Sequence, residues 1–121
     1  MTSLLRVKLR EHLTAALRGR DRQSAGVIRS VLAALENAEA QPATSRETPV
    51  ATSEHIALAA VGVGAGEAPR RPLSADEERA VVEREVAELR SASATLAAAG
   101  RHERATELTH MAGTVEDILN G

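Results

Sequence analysis

The sequence has no phenylalanine, tyrosine or tryptophan, no cysteine, and only one lysine, Lys8. Without aromatic rings it has no stacking platform for splayed bases of the kind RNA-recognition motifs and OB-folds use, and no cation cage. Without cysteine it has no disulfide framework, no thiolate nucleophile and no cysteine zinc site. Long apolar runs are also missing. The longest uncharged run, Ile56 to Gly66, falls well short of the ~20 residues that cross a bilayer. Charges interrupt the first residues, MTSLLRVKLREHL, where a secretory signal needs an apolar stretch. The expectation is a soluble, cytoplasmic protein with no membrane partner.

The 121 residues have room for one domain. Apolar residues make up 43% of the chain, but 24 of them are alanine, and Leu, Val and Ile together supply 26. A core built from these is thin and needs close helix approach. The formal charge of −2 is unevenly spread: residues 1–41 carry +3, residues 42–72 balance, and residues 73–121 carry −5. Fourteen of the fifteen basic residues are arginine.

Helical periodicity covers the chain on both sides of a contrasting middle. Leu4 to Arg18 places Leu5, Leu9, His12, Leu13 and Ala16 on one face, and Gly19 is the expected left-handed stop. Asp21 is the expected N-cap of a second helix, Arg22 to about Ala40, with Ser24, Val27, Ile28, Val31, Leu32, Leu35 and Ala38 inward. Gly26 lies within that helix and lowers its propensity. Residues 41–72 hold all four prolines and three glycines, so they read as an insertion or flexible loop. Ser74 and Glu77 form a capping box that opens a third helix, ending near Ala99 with the seam Val82, Val86, Leu89, Ser93 and Leu96. Gly100 precedes a fourth, His102 to Leu119, striped by Ala105, Leu108, Ala112, Val115 and Leu119. The expected fold is all-α: a four-helix bundle of two antiparallel hairpins with a long Gly/Pro-containing insertion between helices 2 and 3.

Few residue constellations promise catalysis. The glycines at Gly62, Gly64 and Gly66 lack the Lys-Ser/Thr pair of a P-loop, and Glu67 stands where a dinucleotide fingerprint needs glycine. Glu107 and His110 make a single Glu-x-x-His pair, whereas a di-iron bundle needs two plus further glutamates. His12 is expected at the inward margin of helix 1, and His55 and His102 fall in loop and turn contexts. No serine sits on a strand–turn–helix elbow. The helix-3 glutamates read as a solvated face laced by Arg79–Glu83 and Arg84–Glu88. No catalytic residue, metal ligand or cofactor is assigned.

The basic first hairpin remains. Arg18, Arg20 and Arg22 flank its turn, Arg29 follows Arg22 by seven residues on the same outward face, and Arg6 and Arg10 share a side of helix 1. Guanidinium groups can hold phosphate oxygens bidentately, so Arg18, Arg20, Arg22 and Arg29 are the RNA-binding candidates. The competing reading is a solvated face or a protein-binding module, with leftover apolar area on helix 4 beside Ala105 and Ala112 available for self-assembly as a homodimer.

LREHLTAALRGRD from Leu9 and VIRSVLAALENAE from Val27 resemble the opening of the GatB/YqeY family. LSADEE from Leu73, EVAELR from Glu85, AGR from Ala99 and EDIL from Glu116 extend the resemblance over most of the chain outside residues 41–72. Leu96 and Ile118 stand where that family often has an aromatic residue. The resemblance implies a single helical domain over residues 1–121, related to the helical region of the B subunit of the tRNA-dependent amidotransferase, and with it an accessory role around tRNA or translation. It further implies a second, smaller helical domain that this sequence lacks. Family members are described by similarity as carbon–nitrogen ligases with glutamine as amide donor, but no catalytic motif accompanies the match. The expected partners are therefore tRNA, a protein or a second copy of the chain.

Overall fold

The computed structural model describes residues 3–40 and 71–121. The Gly62–Glu67 run, His55 and most of the expected insertion lie outside them. The described residues form four helices and no strand: α1 (Leu4–Arg18), α2 (Arg22–Ala40), α3 (Ala75–Ala98) and α4 (His102–Asn120). No helix among them is long and apolar enough to cross a membrane.

Helix starts follow local chemistry. Ser3 Oγ accepts from the Arg6 amide at 2.9 Å and opens α1. Asp21 Oδ1 accepts from the Ser24 amide at 3.1 Å and opens α2. Ser74 and Glu77 form the reciprocal capping box, at 3.1 Å and 2.9 Å. Asp76, Glu77 and Glu78 put negative charge in the first turn of α3, where the helix dipole favours it.

The two short connections close in the same way. The Asp21 amide reaches back to Ala16 O and the Arg20 amide to Leu17 O. The Arg101 amide reaches Leu96 O and the Gly100 amide Ala97 O. Each is a Schellman closure, and each needs a left-handed residue one position past the cap. In the second turn this is Gly100, at φ 83°. In the first it is not Gly19, which sits at φ −84°, but Arg20, at φ 58°. The expected stop is thus displaced by one residue, because the backbone bonds fix the left-handed position relative to the last turn. Gly100→Ala is expected to destabilise the fold by about 1 kcal/mol, since alanine gains a left-handed penalty. Urea titration followed by far-UV circular dichroism would read it, and an unchanged midpoint would contradict the role of Gly100.

The core runs between the helices through Leu9, Ile28, Val31, Leu35, Val82, Ala112, Val115 and Ile118. Small residues allow the close approach. Ala105 and Ala112 are buried in α4, and the buried Ser93 Oγ of α3 donates to Ala105 O at 2.7 Å and meets Thr109 Oγ1 at 2.8 Å. The α4 stripe is therefore consumed inside the chain. Leu108, Val115, Ile118 and Leu119 are all buried, and Met111 is partly exposed at the edge of the stripe. Among the described residues, the large apolar side chains that stand exposed are Leu4 and Leu17.

α1 is the least embedded helix: only Leu9 and Ala16 are buried, with Leu5 and Leu13 packed at the edge. His12, expected inward, is exposed because the contact stripe of α1 is too narrow to reach it.

Candidate nucleic-acid interface

Ion pairs decide which cations are available. Arg6, expected to share a side of helix 1 with Arg10, is turned towards two carboxylates. Its Nε donates to Glu78 Oε2 at 3.0 Å, and its Nη2 lies 2.9 Å from Glu39 Oε2. That second contact is off the N–H direction, so it is a charge contact without a hydrogen bond. Glu78 is only 4% exposed. The helix-3 glutamates are thus not all a solvated face: Glu78 holds α3 to α1 from within. Arg79 pairs with Glu83 at 3.1 Å and donates to Asn120 Oδ1 at 2.8 Å. Arg71 grips Glu77, Arg90 meets Glu116, and Arg104 meets Glu107 at 2.7 Å. Lys8 Nζ donates to Gly121 O at 2.7 Å. The expected Arg84–Glu88 pair does not form among the described residues.

Arg18, Arg20, Arg22 and Arg29 behave differently. All four are exposed, and among the described residues none lies within ion-pair distance of a carboxylate. The Schellman turn and the start of α2 bring three of them together. Arg20, Arg22 and Arg29 line an open groove of about 540 Å³ whose floor is Ala16, Ala25 and Gly26 and whose edge carries Leu17, 48% exposed. Arg18 does not line it. Sequence spacing finds the arginines but misses Leu17 and Gly26, which carry no charge signal and become part of the surface only when α1 and α2 pack.

One carboxylate, Asp21, also lines the groove. Its oxygens face its own helix: Ser24 N donates to Oδ1 at 3.1 Å and Ser24 Oγ to Oδ2 at 2.7 Å. Those bonds, with a smaller attraction from His110, hold the Asp21 carboxyl below the usual carboxylate range. His110 Nδ1 lies 3.2 Å from Gln23 Oε1, and Glu107 is held by Arg104, so this Glu-x-x-His pair does not converge on a common point. Among the described residues no three His, Asp or Glu side chains cluster so as to hold a metal ion.

Set against protein-family models, curated proteins and solved structures, the chain matches none. The groove must therefore be interpreted from its own chemistry. Three guanidinium groups around an apolar floor suit a polyanion that places several phosphates along one edge, because each group can bond two oxygens in its plane.

Two other carboxyl groups are shifted. Hydrogen bonds from Arg71 and the Ser74 amide lower Glu77, whereas burial and the nearby Glu88 raise Glu85 against the opposing pull of Arg84. Their linkage signs oppose. Asp21 and Glu77 contribute stability that is complete above the unfolded carboxylate range, about pH 4, and is lost as pH falls through their lower folded values. Glu85 is more basic when folded, so stability rises as pH falls through its folded value. The melting temperature is expected to rise slightly as pH falls towards the ordinary carboxylate range, through the raised folded value of Glu85, and to fall below about pH 4. Glu85→Gln should remove the rise, and Asp21→Asn, which keeps a capping oxygen, should shrink the fall. A rise unaffected by Glu85→Gln would contradict the assignment.

Proposed function

We propose that the chain is a non-catalytic helical adaptor of the GatB/YqeY kind, two antiparallel hairpins joined by the 41–72 insertion, that binds tRNA or another translation-associated RNA through its first turn. The observation that carries this reading is the concentration at the α1–α2 turn of exposed arginines that make no ion pair among the described residues, with Arg20, Arg22 and Arg29 around one groove. The family resemblance supports the choice of RNA. The same resemblance suggests a role as accessory to a glutamine-dependent amidotransferase, a reading in which this chain supplies binding rather than chemistry.

Titration of dye-labelled tRNA tests the proposal, the dye being on the RNA because the chain has no Trp or Tyr. Binding is expected in the micromolar range at low salt. With three to four phosphate contacts, affinity should fall about 40- to 150-fold between about 50 and 200 mM salt. The triple substitution Arg18→Glu, Arg22→Glu and Arg29→Glu should abolish binding without unfolding the chain, since none of these side chains holds the core. Unchanged binding by that variant would remove the groove from the account. No binding by the parent chain at low salt would favour a protein partner instead. The exposed Leu4, beside Leu5, Leu73 and Leu119 at the opposite end of α1, would then be the surface to examine.

A further inference from the structure

Two residues of the arginine groove work against the stability of the fold. Arg20 holds φ 58°, in the left-handed position that the matching turn fills with Gly100. Gly26 sits inside α2 with an exposed surface, and a Cβ added there would meet nothing within 4 Å. An interior glycine weakens a helix relative to alanine, and here no neighbour crowds it and no turn requires it. Gly113 of α4 is equally uncrowded but belongs to no such groove, so an uncrowded glycine alone means little. At Gly26 it coincides with Arg20, Arg22 and Arg29 around the same hollow.

We propose that this groove receives the sugar–phosphate backbone of a base-paired RNA stem, which lies directly on the bare surface of α2 at Gly26 while Arg20, Arg22 and Arg29 hold its phosphates. The inference rests on the nucleic-acid reading above and deepens it. Arg22 and Arg29 are two helical turns apart, about 10.5 Å along the axis, and project on the same side, so they can reach two non-adjacent phosphates of one strand. Contact at Gly26 brings that strand close enough to displace water from the alanine floor, which strengthens each guanidinium–phosphate bond. The ligand class follows from what the chain lacks. Single strands are gripped largely by stacking on aromatic side chains, and this sequence has none. A stem is recognised through phosphates and 2′-hydroxyls fixed in A-form geometry, for which arginines and a smooth helix surface suffice.

The experiment compares a dye-labelled RNA hairpin of about 16 base pairs with a single strand of equal length. The parent chain is expected to bind the stem at least about tenfold more tightly than the strand. Gly26→Ala should raise the melting temperature by about 4 °C yet weaken stem binding about tenfold, because the added methyl occupies the contact. Arg20→Gly should likewise raise the melting temperature while reducing the salt slope by about 1. Gly113→Ala should raise the melting temperature and leave binding unchanged. Parental stem affinity in Gly26→Ala, or a single strand bound as tightly as the stem, would overturn the inference. If Arg22→Glu with Arg29→Glu still lost binding in that case, the nucleic-acid reading would stand without it. A parent chain that bound neither RNA at low salt would overturn both.

Discussion

Arg6→Met is expected to destabilise the chain by about 3–5 kcal/mol, the largest effect of any single polar substitution here. The side chains of Arg6, Glu39 and Glu78 are only 14%, 18% and 6% exposed, so water screens the triad weakly. Removing the cation leaves the Glu78 carboxylate buried without its partner, and the cost is mainly the desolvation of that charge. The triad also ties the start of α1 to the end of α2 and the start of α3, so its loss loosens three helices together. The double variant Arg6→Met with Glu78→Leu should recover most of the loss, because apolar residues of similar size often replace a buried pair with little net change. Urea denaturation followed by far-UV circular dichroism measures both. A cost below about 1 kcal/mol for Arg6→Met would mean that the triad behaves as an ordinary surface pair. Because the triad lies at the end of α1 remote from the arginine groove, Arg6→Met should leave RNA affinity unchanged under conditions where it remains folded.

The helices were legible in the sequence because their ends are local. Ser74 with Glu77, Asp21, and the glycines of the two short turns, Gly19 and Gly100, act within four residues, and the apolar periods run uninterrupted between them. Pairings across the chain were not legible. Arg6 and Glu78 are separated by 72 positions, and no local pattern distinguishes a guanidinium that faces a carboxylate from one that faces water. The same limit explains His12. The period places it beside Leu9 and Leu13, but how much of that face is covered depends on how α1 sits against its neighbours. Arg20 shows a subtler failure. The glycine rule predicts that Gly19 turns left-handed, whereas the six-residue closure from Ala16 to Asp21 assigns that geometry to Arg20. At the candidate site, Arg20, Arg22 and Arg29 could be picked out from charge and spacing. Gly26 could not, because crowding and tolerance look alike until its surroundings are seen.

Leu9→Ala is expected to cost about 3–5 kcal/mol, near the upper end for such truncations. Leu9 is fully buried, and Ala16 is the other buried residue of α1. The cavity is poorly placed to collapse. Its surroundings are rich in Val and Ile, whose branched side chains have few alternative rotamers, and no aromatic ring is available to swing in. Leu9→Met conserves volume and should cost less than about 1.5 kcal/mol. The loss should also be unevenly distributed: hydrogen exchange is expected to accelerate in α1 before it does in α3 and α4, where Val82, Val86, Leu108 and Val115 keep their contacts. Uniform acceleration across all four helices would instead show α1 to be an integral part of a single cooperative unit. The distinction bears on function, since Ala16, Leu17 and Arg20 form the α1 side of the arginine groove. A chain whose α1 detaches first would lose RNA binding at denaturant concentrations that leave the rest of the helices intact. Binding would then report the docking of one helix, held chiefly by one buried leucine and one partly buried, ion-paired arginine.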